Sequence, residues 1–111
     1  MGQLAEPTLP KLDLELRRGV LVIAVLSQLT EPQYGYSLRQ ALAAKGMPIE
    51  EGTLYPLLRR LEGQGLLKSE WRIEDGPPRR YYRLSEAGEA ALRRLTGEWR
   101  ELISTMNGLL A

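Results

Sequence analysis

The segment from Glu51 to Leu67 constrains the fold most, because a proline limits where its helix begins and leucines define which side is buried. Four leucines recur at i, i+3, i+4 and i+7, the spacing of one apolar helix face: Leu54, Leu57, Leu58 and Leu61. Pro56 requires a nearby helix start, where its missing N–H has no helical partner. We therefore predict a helix that begins between Glu50 and Thr53 and presents polar and basic side chains opposite the leucines, as a DNA-recognition helix does.

A basic hairpin is predicted directly after this helix. Two short runs that contain β-forming residues, 68–72 and 79–83, flank the turn-rich sequence Glu74-Asp75-Gly76-Pro77-Pro78. A helix followed by a basic hairpin indicates a winged helix.

The charge is distributed unevenly along the chain. The net charge is only +1, but residues 59–83 contain seven basic and four acidic residues, against eight basic and ten acidic residues elsewhere. A local basic surface on a slightly acidic body favours a selective DNA binder over a general nucleic-acid coat.

Composition argues against catalysis. The 111 residues include no cysteine and no histidine, which removes the commonest transition-metal ligands and the commonest general base. We therefore expect that the protein is not an enzyme and has no catalytic residues, no metal and no cofactor.

The N-terminal sequence is polar, contains proline and is unlike a secretory signal. The apolar run 20–26 is too short to cross a bilayer, so we expect a cytoplasmic protein without membrane contact.

The chain is predicted to divide into three parts. Residues 1–10 show no periodicity and are expected to be a mobile arm. Residues 11–84 are expected to form the winged-helix domain. Its first helix spans about 11–29 with Leu16, Val20, Ile23 and Leu26/Val25 inward, and its second helix opens at Tyr34.

The third part, 85–111, is predicted to be one long dimerisation helix. Ser85 is a good N-cap, and Glu86 and Glu89 suit the positive end of the helix. A heptad-like apolar seam follows, comprising Leu92, Leu95, Trp99, Leu102, Met106 and Leu109. A small winged domain offers nothing to cover this seam along its whole length, so a homodimer is expected. The predicted architecture is mainly α: N-terminal helix, helix-turn-helix, two-stranded wing and C-terminal helix.

These residues resemble the PadR-like transcriptional regulators. The matching sequences are Tyr34-Gly35-Tyr36, Gly52-Thr53-Leu54-Tyr55-Pro56 with Leu58, Leu61 and Glu62, then Gly65-Leu66, and Arg80-Tyr81-Tyr82-Arg83-Leu84-Ser85 followed by Gly88. The resemblance implies a dimeric winged-helix regulator, usually a repressor, that binds a pseudo-palindromic operator in double-stranded DNA. A single terminal helix marks the short branch of the family, which includes multidrug-responsive repressors with a tryptophan at a drug-binding pore. Trp99 is the matching position here.

Each predicted DNA contact has a structural alternative. Arg59 and Arg60 suit guanine edges or phosphates, or they are a solvated face paired with Glu62. Thr53 and Tyr55 suit phosphate oxygens, or they serve capping and core packing. We expect Arg79 and Arg80, which follow the hairpin tip, to reach a minor groove, although they could simply protect an edge strand.

Trp99 also has more than one interpretation. It is expected in the dimer interface, and it could in addition line a site for a small aromatic or hydrophobic effector. The alternative to a DNA-binding regulator is a winged helix that serves only as a protein-interaction module.

Overall fold

The computed structural model describes residues 8–111, and its element order is that of a winged helix-turn-helix. The helices are α1 (Leu9–Ser27), α2 (Gly35–Ala44), α3 (Glu51–Gly63) and α4 (Glu86–Leu110), and the strands are β1 (Gln33–Tyr34), β2 (Leu67–Arg72) and β3 (Arg79–Leu84). The predicted fold class is confirmed. Most of the predicted mobile arm lies outside the described residues.

Helix α1 differs from its prediction at both ends and in its buried face. It begins at Leu9 instead of residue 11, with Pro10 in the first turn, where a missing N–H is harmless. It ends at Ser27, and the buried Leu29 lies beyond it. The prediction that Leu16 faces inward is wrong, because the N-terminal half of α1 extends past the core and leaves Leu16 77% exposed.

The core forms around the leucine face of α3. All four predicted leucines of α3 are buried, and they pack with Val25 and Leu26 of α1, Leu38 and Leu42 of α2, and Tyr82 and Leu84 of β3. Burial of each leucine side chain contributes about 1.5–3 kcal/mol. The predicted amphipathic orientation of α3 is therefore confirmed, and its opposite face is exposed at Arg59 and Arg60.

The sheet has three strands, in the order β1-β3-β2, and both pairings are antiparallel. The predicted hairpin is β2 and β3, paired from Leu67 opposite Leu84 to Arg72 opposite Arg79. The third strand, β1, was not predicted, since two residues are too few to show strand alternation. Tyr34 of β1 pairs with Tyr81 of β3 and is also the extended residue that precedes α2.

Ser85 joins the start of α4 to the turn between α3 and β2. Its hydroxyl oxygen accepts a hydrogen bond from the N–H of Gly88 at 3.0 Å, which confirms the predicted N-cap. The same hydroxyl donates to the carbonyl of Gly65 at 2.6 Å, and the Ser85 N–H donates to the carbonyl of Leu66 at 3.0 Å. A Cβ at position 88 would overlap that Leu66 carbonyl, so the close approach requires glycine. We call this arrangement the Ser85 corner.

Helix α4 extends well beyond the core. Its 25 residues span about 37 Å at 1.5 Å per residue. Leu92 and Leu95 pack against the core, whereas every residue from Gly97 to Ala111 is exposed. The exposed fractions of the seam are 38% for Trp99, 54% for Leu102, 44% for Met106 and 72% for Leu109. In residues 8–111 no helix has the length and apolar character needed to span a membrane.

Replacement of Ser85 by alanine should lower the free energy of unfolding by about 2 kcal/mol, because both the helix cap and the hydrogen bond to Gly65 are lost. Urea unfolding at a fixed protein concentration measures this. Ser27→Ala is the control, since Ser27 is exposed and its hydroxyl bonds only to neighbours, Ala24 and Gln28, at the end of α1. Equal stability of the two variants would contradict the role of the Ser85 corner.

Candidate nucleic-acid interface

The turn between α2 and α3 is held by one arginine. The Arg39 guanidinium donates to the carbonyl of Ile49 at 3.2 Å and to the carboxylate of Glu51 at 2.9 Å. Glu51 is the first residue of α3, so these bonds connect the middle of α2 to the start of α3. They align α3 relative to the rest of the helix-turn-helix.

Pro56 lies inside α3 at its sixth residue. It lacks the N–H that would otherwise donate to the carbonyl of Gly52. Gly52 is exposed, so water has access to this carbonyl. The predicted start of α3 is confirmed, and the helix accommodates the proline on its solvent side.

A cleft of about 360 Å³ lies between α3 and the hairpin. We call it the wing cleft. Its lining comprises Tyr34, Gly35, Tyr55, Arg59, Trp71, Pro78, Arg79, Arg80 and Tyr82. Three arginines and no carboxylate belong to this lining, taken over the described residues, so the cleft favours an anionic ligand.

Four of the six residues predicted to contact DNA meet in the wing cleft: Tyr55, Arg59, Arg79 and Arg80. The other two, Thr53 and Arg60, line a separate cleft of about 410 Å³ between α1 and α3, together with Arg18. The predicted residues therefore form two groups, one on each side of α3. Thr53 and Arg60 are both exposed.

Tyr55 fills the space above Gly35, the first residue of α2. A Cβ at position 35 would overlap the ring and hydroxyl of Tyr55, so this contact requires glycine. Tyr55 is half-buried and packs against the core. Tyr55 therefore packs against the core, as its structural alternative predicted. Contact of its hydroxyl with DNA stays a prediction.

Arg80 connects the hairpin to α3. Its Nη2 donates to the Glu62 carboxylate at 2.8 Å, and its Nε donates to the Ser69 hydroxyl at 3.0 Å. The Ser69 hydroxyl in turn bonds to the other Glu62 oxygen. Two of the three guanidinium nitrogens are used, and the side chain is 38% exposed. Arg80 therefore has a structural role that was not predicted, since Glu62 was considered only as a partner of Arg59 or Arg60.

Arg79 is the first residue of β3 and borders the wing cleft. Its guanidinium is 4.5 Å from the centre of the Tyr34 ring, and Tyr34 packs edge-on against Tyr81 at 5.3 Å. Arg79 is exposed and follows the turn that contains Gly76, Pro77 and Pro78. Stacking on Tyr34 restricts the arginine without burying its charge.

Two tyrosines in β3 have different environments, as the alternation of side chains along a strand requires. Tyr82 is buried, and burial raises the pKa of its hydroxyl above the usual value. Tyr81 is half-buried, and the Arg72 guanidinium lies 4.3 Å from its ring centre. Tyr82 is thus a core residue.

The wing cleft also contains Trp71, which the sequence analysis did not select. Trp71 lies opposite Arg80 in the β2–β3 register and is 66% exposed. Strand alternation from the buried Leu67 through Ser69 would have placed it on the side of the hairpin that faces α3. This alternation could have identified Trp71 from the sequence.

A second concave surface, the apolar groove, lies between α1 and α4. It has a volume of about 810 Å³, and its apolar residues include Val20 and Ile23 from α1 and Leu95, Trp99, Leu102 and Met106 from α4. The exposed Leu16 also lines it. Trp99 therefore borders a groove in the single chain.

No cluster of three or more His, Cys, Asp or Glu side chains able to hold a metal occurs between residues 8 and 111.

Comparison with known proteins identifies the family. The model of the transcriptional regulator PadR-like family matches residues 22–94. The chain belongs to the PadR-like family. It is 43% identical over 79 residues to Transcriptional regulator Rv3488 of Mycobacterium tuberculosis, an alignment that covers 70% of this chain and 74% of that relative.

Solved PadR-like structures share the whole architecture. A PadR family transcriptional regulator from Eggerthella lenta superposes with a TM-score of 0.86 at 49% identity, covering 97% of this chain and 96% of that one. A PadR-like transcription factor from Bacteroides fragilis has a TM-score of 0.76 at 39% identity, covering 89% and 98%. The chain is therefore a winged-helix transcriptional regulator of the PadR-like family, and the resemblance inferred from its motifs is confirmed.

The ion pair between Arg80 and Glu62 can be tested with a double-mutant cycle of Arg80→Met and Glu62→Gln. We expect a coupling energy of about 1 kcal/mol in urea unfolding, because the two half-buried side chains share a hydrogen-bonded network with Ser69. The pair Arg72 and Glu70 is the matched control and should couple more weakly, because the Glu70 side chain is 62% exposed, against 27% for Glu62. Additive effects of Arg80→Met and Glu62→Gln would show that the pair does not hold the hairpin.

Proposed function

We propose that this regulator is a homodimer that binds a pseudo-palindromic operator and represses a nearby gene or its own operon. The observation that supports it best is the wing cleft, where α3 and the hairpin contribute arginines to one concave surface without a carboxylate among the described lining residues. A phosphate backbone is the ligand that such a surface suits. The repressing direction rests on the family resemblance.

In this proposal α3 enters the major groove. Its leucine side is buried in the core, so only the opposite side, with Arg59 and Arg60, is free to reach base edges. Arginine is suited to bidentate contact with guanine, and such a contact contributes about 1–3 kcal/mol of discrimination. Thr53, near the N-terminus of α3, contacts phosphate.

The hairpin tip contacts the adjacent minor groove through Arg79. Its exposed guanidinium stacks on Tyr34, an arrangement that holds a positive charge beside the cleft. Arginine is attracted to the negative potential of a narrow minor groove. Arg80 contributes mainly by holding the hairpin against α3 through Glu62.

Dimerisation through α4 is supported by unpartnered apolar surface. The exposed seam from Trp99 to Leu109 continues at Ile103 and Leu110, which are 41% and 77% exposed. Along α1, Leu9, Leu12 and Leu16 are about half to three-quarters exposed at helical spacing. Soluble monomers rarely expose apolar patches of this extent, so a second copy is the partner that we propose. A two-fold dimer would place its recognition helices about 34 Å apart, one turn of DNA.

We also propose a small aromatic or hydrophobic effector as a regulator of this dimer. The apolar groove, with Trp99 on its wall, supports this because it would adjoin the dimer interface. A ligand that binds one arrangement of the two protomers more tightly than another favours that arrangement and thereby changes DNA affinity. The coupling free energy is reciprocal, so DNA changes the affinity for the ligand by the same factor. In a Trp71→Phe variant, a hydrophobic aromatic compound should quench Trp99 and weaken operator binding, and the absence of both effects would reject this part of the proposal.

The alternative function is a protein-interaction module that uses the α4 seam and does not bind DNA. Fluorescence anisotropy separates the two. The purified protein is titrated into DNA from immediately upstream of its own gene and into scrambled DNA of equal composition, over a series of salt concentrations. Tight, sequence-dependent and salt-sensitive binding supports the regulator with a local operator. If both DNAs bind equally weakly at every salt concentration, the proposal of a local operator is rejected.

Arg59 and Arg79 should differ in the same assay. Arg59→Ala should reduce the ratio of operator to scrambled affinity by about tenfold, because a base contact is lost. Arg79→Ala should weaken binding to both DNAs alike and lower the salt slope by about one, because one positive charge at the minor groove is lost. Equal specificity ratios for the two variants would contradict these roles. Arg93→Ala, an exposed arginine on α4, is the control.

Trp99→Ala should weaken the dimer, because Trp99 lies centrally in the exposed seam. Sedimentation over a range of protein concentrations should show monomers at concentrations where the wild type is dimeric. Glu101→Ala is the matched control, since residue 101 lies on the opposite side of α4 and is outside the seam. An unchanged dimer in Trp99→Ala would count against the interface.

A further inference from the structure

Trp71 is a large apolar side chain in an unusual position. It lies in β2 on the hairpin side that faces α3, in line with Leu67 and Ser69. Leu67 is 3% exposed and Ser69 hydrogen-bonds to Glu62 of α3, whereas Trp71 is 66% exposed. The two inner neighbours of Trp71 on this side of the strand thus contact the body of the protein, and Trp71 extends past it into the wing cleft.

The surroundings of Trp71 combine apolar and cationic character. The Arg80 guanidinium lies 5.9 Å from the indole ring centre, and Arg59 and Arg79 line the same cleft. Tyr82 closes the inner end and is buried. A ligand that suits this lining carries negative charge and apolar surface side by side. A DNA strand does so, since its charged phosphates alternate with the apolar carbons of deoxyribose.

We propose that Trp71 packs against the deoxyribose-phosphate backbone of the DNA strand that occupies the wing cleft. This inference rests on the proposed DNA binding and names a further contact residue within that site. When α3 lies in the major groove and the hairpin tip lies at the minor groove, the strand that separates the two grooves passes between them. The wing cleft is the space between α3 and the hairpin, and Trp71 forms part of its hairpin wall.

The indole suits backbone better than base contact here. Trp71 belongs to the hairpin wall, whereas the exposed side of α3 is the surface available to base edges. Its flat apolar face can cover a sugar while its N–H donates to a phosphate oxygen. Contacts of this kind position a protein on DNA without reading sequence. Trp71 therefore raises affinity for operator and non-operator DNA alike.

Fluorescence of a single tryptophan gives a direct test. The chain has two tryptophans, so Trp99→Phe leaves Trp71 as the only reporter while keeping an aromatic side chain in α4. Acrylamide should quench the free variant efficiently because Trp71 is exposed. Saturating duplex DNA should reduce the quenching constant about threefold or more, since a base or sugar packed on an indole excludes solvent.

Affinity measurements provide a second, independent test. Trp71→Ala should bind operator and scrambled DNA about tenfold more weakly, as loss of one aromatic contact to nucleic acid typically does. Its salt slope should equal that of the wild type, because no charge is removed. Trp71→Phe should retain most of the affinity. Ile73→Ala is the matched control, because Ile73 is 76% exposed nearby but does not line the cleft.

The outcomes distinguish this inference from the proposed function. If wild-type protein binds DNA but Trp71 stays equally accessible to acrylamide and Trp71→Ala binds as well as Ile73→Ala, the backbone contact is overturned and the regulator stands. A loss confined to operator DNA would also overturn it, since that marks a base contact. If the wild type binds neither DNA at low salt, the proposed function and this inference fail together.

Discussion

The burial of one side of α3 is the constraint on which the rest of the structure depends. Its leucines occupy the centre of the core, so the helix cannot rotate without exposing them or burying arginine. The orientation of Arg59 and Arg60 is thus a consequence of hydrophobic packing on the opposite side of the same helix. Arg39 and the Arg80–Glu62 pair then align this helix with α2 and with the hairpin.

Most of the fold could be predicted from local patterns. The α3 leucines, the paired runs around Gly76-Pro77-Pro78 and the Ser85 cap each depend on neighbours within a few residues, and the structure confirms them. The motifs that indicated the PadR-like family also have physical explanations here. Gly88 permits close approach to Leu66, and Gly35 leaves room for Tyr55.

The remaining features depend on contacts between distant parts of the chain. No local pattern reveals that Glu62 pairs with Arg80, 18 residues away, or that β1 adds to the hairpin. The inward orientation predicted for Leu16 was wrong because periodicity identifies an apolar side but not what covers it. The sequence also did not show that the six residues predicted to contact DNA line two separate clefts, one on each side of α3.

The Ser85 corner has a mechanical consequence for the whole molecule. Two hydrogen bonds from Ser85, to the carbonyls of Gly65 and Leu66, attach the start of α4 to the turn that follows α3, so the two helices share one junction. Helix α4 acts as a rigid lever about 37 Å long, given its 25 residues. A rotation of about one degree at the junction displaces its far end by about 0.6 Å, by the same helix length. Small changes in the inclination of α4 are therefore converted into measurable displacements between its far end and α3.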